Sequence, residues 1–575
     1  MPLWERSAAI AQLEQLLRES ADGGRLALIA GEAGIGKSAL VEAFAQRCAG
    51  RARVLWGGCD PLLTPRASGP LLDIARQAGG ALAAAIGAGS SQSDLFTALI
   101  EELTGPRQRP RRVVVVEDAH WADEATLDLL VFLGRRIERV PALLLVTYRD
   151  DEVGPEHPLR SALAALPRPV VRQVAVAPLS AECVAEQAVH GGRDPQELYE
   201  LTGGNPLLVT ELLSLADRAV PATVRDLILA RLNRLSRPAR DVARLVSVIP
   251  TSADLTLLPG LADEIDECIS AGVLTPRAGA LSYRHELLRR AVEDSLSPAR
   301  QADLHRQALY RLAAIDGTDP ARLVHHARHA GDVTALLRYG VVAAANAASQ
   351  GARREAVAHY RAVLPHLDRL SPADRADLLE RYAEQAYLAG VAEEGLPALR
   401  LALAERQRSG DQVRVGEDLR WISRLAWWSG QGEQARAAAA EAVEVLRGEG
   451  AAQPLAMAVS NLSQLHMLAN ELPEAIDWGQ RARELADEIG DVGTSLHAAV
   501  NVHSARMIGG DVTAEPDLRQ VHARAAAAGQ VDHAARALVN LSSSLVQQSE
   551  YERAADALAD ALGYATAHDL DGYVQ

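Results

Sequence analysis

Residues 31–38 read Gly-Glu-Ala-Gly-Ile-Gly-Lys-Ser, and they contain the only lysine of the chain, Lys37. All the other basic residues, of the 59 lysines and arginines in total, are arginines. Glycines let a backbone curl so that its N–H groups face an anion, and a following helix N-terminus adds positive potential. A lysine at this spacing reaches the β- and γ-phosphates of a nucleotide, and the hydroxyl of Ser38 can bind Mg²⁺. The planar fork of arginine is not equivalent in so tight a loop, which explains the single lysine.

The segments on either side of this loop are those that a phosphate-binding loop requires. "RLALIA" is apolar and too short for a helix, so it predicts a buried strand, and "KSALVEAFAQRCA" has the apolar spacing of a helix. Strand, loop and helix in this order predict a site for ATP or ADP with Mg²⁺. The residues predicted to contact the nucleotide here are Gly31, Glu32, Ala33, Gly34, Ile35, Gly36, Lys37, Ser38 and Ala39.

Two further strands are predicted to bring polar side chains to the same site. The valine-rich "RRVVVVEDAHWAD" ends in Glu117 and Asp118, whose carboxylates can hold Mg²⁺ and orient an attacking water. The usual order is Asp followed by an acid, so the sequence leaves open which of the two serves the metal. The strand "ALLLVTYRDDE" carries Arg149 at its tip, where a basic residue beside the phosphate strand can sense the γ-phosphate. These strands, interleaved with helices, predict an α/β fold with a parallel sheet covered on both faces.

The composition excludes several other classes of protein. The net charge of −16 argues against a nucleic-acid surface along the whole chain. The four cysteines lie far apart without CxxC spacing, as expected for reduced thiols in the cytoplasm rather than for disulfides or zinc ligands. No apolar run approaches the ~18 residues that a membrane helix needs, and the N-terminus lacks an apolar signal core.

Four segments together resemble a known family: "GEAGIGKS", "VVVVEDAHWAD", "TYRDDE" and "ELTGGNPLLVTELL". They are similar to the signal-transduction ATPases with numerous domains (STAND), whose nucleotide domain is AAA-like. More narrowly, they resemble the large ATP-binding regulators of the LuxR type, relatives of the maltose-regulon activator. The resemblance covers at least residues 1–330. It implies that Pro206, in a helical lid, packs on the adenine, that His285 contacts bound ADP, and that Arg6 lies near the adenine.

The middle of the chain is expected to form smaller modules. Short strands around a Pro/Gly turn in "AGVLTPRAGALSYRHELLRRAV" lead into a helix, a pattern typical of a winged helix. In the related regulators such a module packs on the nucleotide domain. The predicted domains are a nucleotide-binding domain at 1–178, a helical lid at 179–235, a winged helix at 236–300, a helical linker at 301–338 and helical repeats at 339–575.

From about residue 340 onward the sequence repeats as helical pairs. Turns are predicted at intervals of 39 or 40 residues, at Gly351, Gly390, Gly430, Asn470 and Ser549, with a weaker one near Gly510. Five residues after each clear turn stands a small residue, where two helices must cross closely: Ala356, Gly395, Ala435, Ala475 and Ala554. The pattern resembles lengthened tetratricopeptide repeats and implies an all-α superhelix with a concave binding face. Trp427, Trp428 and Trp478 can either face a ligand there or pack between helices.

The leading functional hypothesis is an ATP/ADP switch of a transcription regulator. ADP is expected to hold the protein closed, and an inducer or partner protein at the repeats is expected to favour ATP and self-association. Slow ATP hydrolysis is compatible with this role but is not established by the sequence. Two alternatives stay open: an ATPase that remodels a partner by sustained turnover, and a repeat scaffold whose nucleotide site is vestigial. The chain ends as another repeat begins, without a polar capping helix, so it is expected to be a fragment or an early-terminated product. The resemblance implies a LuxR-type helix-turn-helix at the far C-terminus of such regulators, and DNA binding is therefore expected through an output domain beyond these residues rather than within them.

Overall fold

The computed structural model describes residues 3–88, 92–105, 110–191, 193–213, 232–277, 279–284 and 286–567. The chain divides into two compact units, Met1–Pro365 and His366–Gln575. In the first unit, residues up to 175 form five strands and seven helices, which are α1 (Ser7–Glu19), β1 (Arg25–Ala30), α2 (Lys37–Arg47), β2 (Ala52–Gly58), α3 (Gly69–Ala78), α4 (Gly80–Gly87), α5 (Gln92–Thr104), β3 (Arg111–Glu117), α6 (Glu124–Arg136), β4 (Ala142–Tyr148), α7 (Pro158–Ala164) and β5 (Val171–Ala175).

The five strands form one parallel sheet in the order β2-β3-β4-β1-β5. Alternate side chains of each strand point to opposite faces, and apolar helices cover both. One face packs against residues of α3, α5 and α6, such as Leu71 and Phe96, and the other packs against α1 and α2 through residues such as Leu13 and Phe44. The predicted α/β fold is therefore confirmed. The prediction that the strand ending before Arg149 lies beside the phosphate strand is also confirmed, because β4 pairs directly with β1.

Three short helices and a small three-stranded sheet follow. The helices are α8 (Ala181–Gly191), α9 (Pro195–Thr202) and α10 (Pro206–Leu213), and they share an apolar cluster that includes Leu198 and Val209. Next come α11 (Arg237–Ser247), β6 (Ala253–Asp254), α12 (Ala262–Ser270), β7 (Leu274–Arg277), β8 (Ala280–Tyr283) and α13 (Glu286–Asp294). Strands β6, β8 and β7 pair antiparallel in that order. The helices and the small sheet occur where they were expected, and the winged-helix assignment and the domain boundaries stay predictions.

The first unit ends in four helices, each of which contacts the next. They are α14 (Pro298–Ala313), α15 (Pro320–Ala330), α16 (Val333–Ser349) and α17 (Arg353–Val363). Short 3₁₀ segments occur at Ala119–Trp121, Ile137–Arg139, Leu255–Leu257 and Leu364–Arg369.

The second unit consists of five helical pairs within its described residues. They are α18 (Pro372–Leu388) with α19 (Ala392–Ser409), α20 (Gln412–Trp428) with α21 (Gly432–Glu449), α22 (Ala452–Leu468) with α23 (Leu472–Glu488), α24 (Val492–Ile508) with α25 (Ala514–Ala527), and α26 (Val531–Gln547) with α27 (Tyr551–Ala567). The two helices of each pair contact each other. The first helices of successive pairs, α20, α22, α24 and α26, also contact one another in that order. The first helices therefore form a continuous layer.

The turns predicted from the sequence periodicity are confirmed. Each of the six predicted turn residues has a positive φ: Gly351, Gly390, Gly430, Asn470, Gly510 and Ser549. Asn470 and Ser549 adopt this conformation at φ 62° although they carry side chains, so position in the repeat overrides residue preference. The small residues after the turns are buried, and a Cβ at Gly395 would come within 3.1 Å of the Ala383 backbone on the facing helix. Close helix crossing therefore explains the requirement for small side chains.

Candidate nucleotide-binding site

The glycines of the loop after β1 hold it in a conformation that other residues rarely adopt. Gly31, Gly34 and Gly36 have φ values of 153°, 80° and 98°, and α2 begins at the next residue, Lys37. A Cβ added at Gly36 would meet nothing within 4 Å, so the space in front of this amide is open. A curled loop with open space at a helix N-terminus fits a phosphate group.

The ammonium group of Lys37 lies over the backbone of its own loop. It donates hydrogen bonds to the carbonyl oxygens of Gly31 and, at 2.9 Å, Glu32. Burial lowers the pKa of Lys37, and the nearby charge of Asp118 opposes that shift, whereas Arg149 adds to it. Lys37, Asp118 and Arg149 thus belong to one electrostatic group, as the sequence predicted for the ends of β1, β3 and β4.

The two acidic residues at the end of β3 have different surroundings. Asp118 adopts φ 55°, and its backbone N–H donates to the Thr147 hydroxyl at 2.9 Å. Burial, and then the charge of Glu117, raises the pKa of Asp118 to about 7, while Arg149 and Lys37 oppose the increase. The carboxylate of Glu117 instead accepts a 2.8 Å hydrogen bond from the Trp56 indole. The structure therefore places Asp118, rather than Glu117, in the closer electrostatic relation to Lys37.

Arg149 is buried behind the acidic turn. Its guanidinium pairs with Glu152 and lies 4.9 Å from the ring centre of Trp121. Arg290, from α13, approaches the same ring at 5.8 Å. Glu286, at the start of α13, is close enough to contribute to the raised pKa of Asp118. Helix α13 therefore brings charged side chains close to the site, and the sequence analysis did not single these side chains out.

The position of His285 is not among the described residues, so its expected contact with ADP stays a prediction. Pro206 is the first residue of α10, and Asn205 directly before it connects α10 to the loop. The side-chain amide of Asn205 donates to the Ala33 carbonyl at 3.0 Å, while its oxygen accepts from the Leu207 N–H at 3.1 Å. The "GGNP" turn suggested a break between helices, and only the structure shows that its asparagine binds the loop.

Arg6 also holds the loop from the other side. Its Nη2 donates to the carbonyls of Ile35 at 3.1 Å and Ala177 at 2.8 Å, and its side chain is buried. The preceding Glu5 has φ 51°, a conformation that glycine adopts more easily, and its carboxylate accepts from the N–H and hydroxyl of Ser180. The segment before α1 therefore fixes both the loop and the start of α8. The family resemblance implied that Arg6 lies near the adenine, which stays a prediction, and the bonds of Arg6 to the loop are visible only in the structure.

Residues 2–146 match the family model of the AAA ATPase domain. This match and the geometry above define the N-terminal part as a P-loop ATPase domain of the AAA type, which implies nucleotide binding. Within the described residues, no helix combines the length and the hydropathy needed to cross a bilayer.

Two kinds of similarity extend beyond this domain. An uncharacterized protein of Rhizobium meliloti (strain 1021) is 26% identical over 441 residues, which are 63% of this chain and 42% of that protein, so the chain spans about two fifths of its relative. Among solved structures, a STAND protein with a tetratricopeptide repeat sensor from Pyrococcus horikoshii aligns over 98% of this chain and 97% of its own, with 14% identity and a TM-score of 0.43. Aspartyl phosphate phosphatase F from Bacillus subtilis aligns over 68% of this chain and 95% of its own, with 10% identity and a TM-score of 0.36.

Proposed function

We propose that the protein is a cytoplasmic ATP/ADP-dependent signalling switch of the STAND type, in which the helical repeats receive an inducer or a partner protein. The observation that carries this proposal is the convergence of Lys37, Asp118 and Arg149 at the ends of three adjacent parallel strands. Ligands of parallel sheets bind at this edge, because the strand ends and helix N-termini meet there.

Each group of the site has a role that follows from its chemistry. Lys37 exchanges its backbone acceptors for β- and γ-phosphate oxygens, and Ser38 with Asp118 would hold Mg²⁺, which neutralises phosphate charge. Asp118 also orients the attacking water, with Glu117 held nearby by the Trp56 indole. Arg149, paired with Glu152, turns toward the γ-phosphate.

The lid is proposed to respond to the nucleotide through the loop backbone. Asn205 and Arg6 bind the carbonyls of Ala33 and Ile35, so a shift of the loop on phosphate binding changes both contacts directly. Pro206 at the start of α10 is then carried toward or away from the adenine. This gives the two nucleotide states different interactions with the lid, which a population shift requires.

A second contact leads from the site toward the repeats. The N-termini of α6 and α17 cap each other: the Glu124 N–H donates to Glu355 at 3.0 Å, and the Arg354 N–H donates to Glu124 at 3.0 Å. Helix α6 begins just after the acidic turn that carries Asp118, and α17 follows the first repeat turn. Both helices belong to the first unit, so a shift of α17 can reach the acidic turn along α6.

The test is to denature the purified protein, chromatograph any released nucleotide, and titrate ADP and ATP into the wild type and Lys37→Ala. Retained ADP, with turnover below about one per minute, is the expected result for a switch; the limit is set between the intrinsic and activated rates of nucleotide switches. Absence of both retained nucleotide and affinity would support the scaffold alternative. Rapid steady turnover would support a remodelling ATPase.

The role of a LuxR-type regulator needs a separate experiment. Light scattering with ADP and with a slowly hydrolysed ATP analogue is expected to show self-association only with the ATP analogue. The same molar mass of the protein with ADP and with the ATP analogue would contradict the proposed self-association.

A further inference from the structure

We propose that the layer of first helices in the second unit binds a small organic anion, with Arg420 and Arg424 holding its carboxylate or phosphate group. This inference deepens the proposed inducer-sensing role of the repeats and rests on that role for its biological meaning. The binding site itself depends only on the second unit.

Arg420, Arg424 and Trp428 lie on one face of α20, because residues four apart on a helix are neighbours. Two like charges at this spacing destabilise a helix unless another group compensates them. Within the described part of the chain, neither arginine forms an ion pair with a carboxylate. The chain carries a net charge of −16, so an uncompensated pair of cations is not a consequence of its composition.

The groups that hold these arginines are neutral. The guanidinium of Arg424 donates to the Tyr387 hydroxyl and to the Gln464 side-chain oxygen, both at 2.9 Å. Arg420 lies 4.7 Å from the ring centre of Trp421, and among the described residues it makes no hydrogen bond. Both side chains are therefore oriented by aromatic and amide groups, while their positive charge stays available to an anion.

Two other arginines of the same unit, by contrast, pair with carboxylates. Arg406 pairs with Asp377 and Glu380, and Arg414 pairs with Glu417 at 3.0 Å. Glu417 and Glu384 are the carboxylates whose charges raise the pKa of Arg420, and Glu417 pairs with Arg414. Carboxylates are thus present near α20, but they are not placed on Arg420.

Burial lowers the pKa of Arg420 to about 10, and the neighbouring charge of Arg424 adds to the decrease. A guanidinium resists deprotonation, so the protein bears the cost of burying this charge and, as a smaller part, its repulsion by Arg424. An anion between the two groups removes this repulsion and forms charge-assisted hydrogen bonds with a planar fork.

The next helices extend the positive surface. The Arg536 guanidinium, on α26, donates to the His497 carbonyl at 2.8 Å and to the Asn501 side-chain oxygen at 3.1 Å. Burial holds the pKa of His497 well below its usual value, and after burial the largest causes are the charges of Arg536 and Arg424. The charges of Arg424 and Arg536 therefore both act on His497, which favours the neutral form of this histidine.

The aromatic residues around the arginines indicate the rest of the ligand. Tyr387 lies 5.7 Å from Trp421 and 6.3 Å from Trp428, measured between ring centres, and Trp428 is 67% exposed. An exposed tryptophan beside a guanidinium pair fits a ligand that has an aromatic or apolar part next to its anionic group. Of the three tryptophans considered in the sequence, Trp428 is the exposed one, and we assign it to the proposed ligand site.

The test compares benzoate with its neutral analogue benzamide, and adds inorganic phosphate and succinate, all at constant ionic strength. Binding to the full chain is followed by tryptophan fluorescence. We expect a saturable response to benzoate, none to benzamide, and a preference between phosphate and succinate that identifies the anionic group. Arg420→Gln is expected to weaken benzoate binding by about tenfold or more, the usual effect of losing a charge-assisted hydrogen bond.

Arg481→Gln is the matched control, because Arg481 also lies 4.9 Å from a tryptophan ring but pairs with Asp477. It is expected to leave benzoate binding unchanged. A second variant, Trp428→Ala, is expected to weaken benzoate more than phosphate. Equal responses to benzoate and benzamide, an unaffected Arg420→Gln variant, or equal losses in Arg420→Gln and Arg481→Gln would each overturn the inference.

Lys37→Ala separates this site from the nucleotide site. The benzoate and phosphate responses are expected to persist in that variant. If the wild type bound benzoate but neither ATP nor ADP, the anion site would remain supported and only the proposed switch would be rejected. Their loss in Lys37→Ala would show that the anions had reported on the phosphate loop, and it would overturn the inference.

Discussion

Replacing Glu355 by glutamine is expected to stabilise the first unit at neutral and alkaline pH. Burial, and then the charge of Asp123, raises the pKa of Glu355 to about 7 from an ordinary value of 4.5. The folded protein therefore favours the protonated carboxyl, so the stability present below the ordinary pKa is lost as the pH rises through about 7. The corresponding free energy is at most about 3 kcal/mol above pH 7. Glutamine keeps an oxygen that can accept the hydrogen bond from the Glu124 N–H but carries no charge.

The assay is thermal or urea unfolding of the wild type and Glu355→Gln across the range from about pH 4.5 to 8. The two proteins are expected to match at the acidic end, and the variant is expected to gain up to about 3 kcal/mol at the alkaline end. Glu182→Gln, an exposed acid in the first turn of α8, controls for the loss of one negative charge. A constant difference across the pH range, or a destabilised variant at pH 8, would refute the reasoning.

The other predictions concern the nucleotide site. Lys37→Ala is expected to weaken ADP binding about 100-fold or more in calorimetry, with unchanged helical content by circular dichroism, because it removes charged hydrogen bonds to phosphate. Binding as tight as in the wild type would remove Lys37 from the site. Asp118→Asn is expected to retain ATP and slow its single-turnover hydrolysis; an unchanged rate would move that role to Glu117. Asn205→Ala removes a bond worth about 1 kcal/mol and is expected to release a fluorescent ADP analogue about fivefold faster by stopped flow. An unchanged release rate would separate Asn205 from the response of the lid.

Local sequence was sufficient for the features that depend on backbone conformation and burial. The glycines and Lys37 identified the phosphate loop because few other residues permit its conformation or fit its space. The valines before Glu117 identified a buried strand, and the period of the turns identified the helical pairs, including the turns at Asn470 and Ser549, where the structure has positive φ. Each of these depends on interactions over a few residues, so the order of residue types along the chain contains the information.

Residues that meet across long distances could not be inferred in this way. The sequence left Glu117 and Asp118 equivalent, and contacts made by neighbouring strands distinguish them: the Trp56 indole donates to Glu117, and the Asp118 N–H donates to the Thr147 hydroxyl. In the sequence, Asn205 appears only as part of a helix-breaking turn. Its hydrogen bond to the Ala33 carbonyl depends on the tertiary structure. Arg420 and Arg424 are two of many arginines, and their lack of a carboxylate partner is a property of the neighbouring helices.

The sequence by itself thus determined that this chain has a phosphate loop, an acidic strand end and a run of helical pairs. The tertiary structure decided which charges compensate one another: Arg149 with Glu152, Arg406 with Asp377 and Glu380, and no carboxylate with Arg420 among the described residues. The physical reason is that backbone conformation follows from neighbours along the chain, whereas the electrostatic energy of a side chain depends on groups brought close by folding.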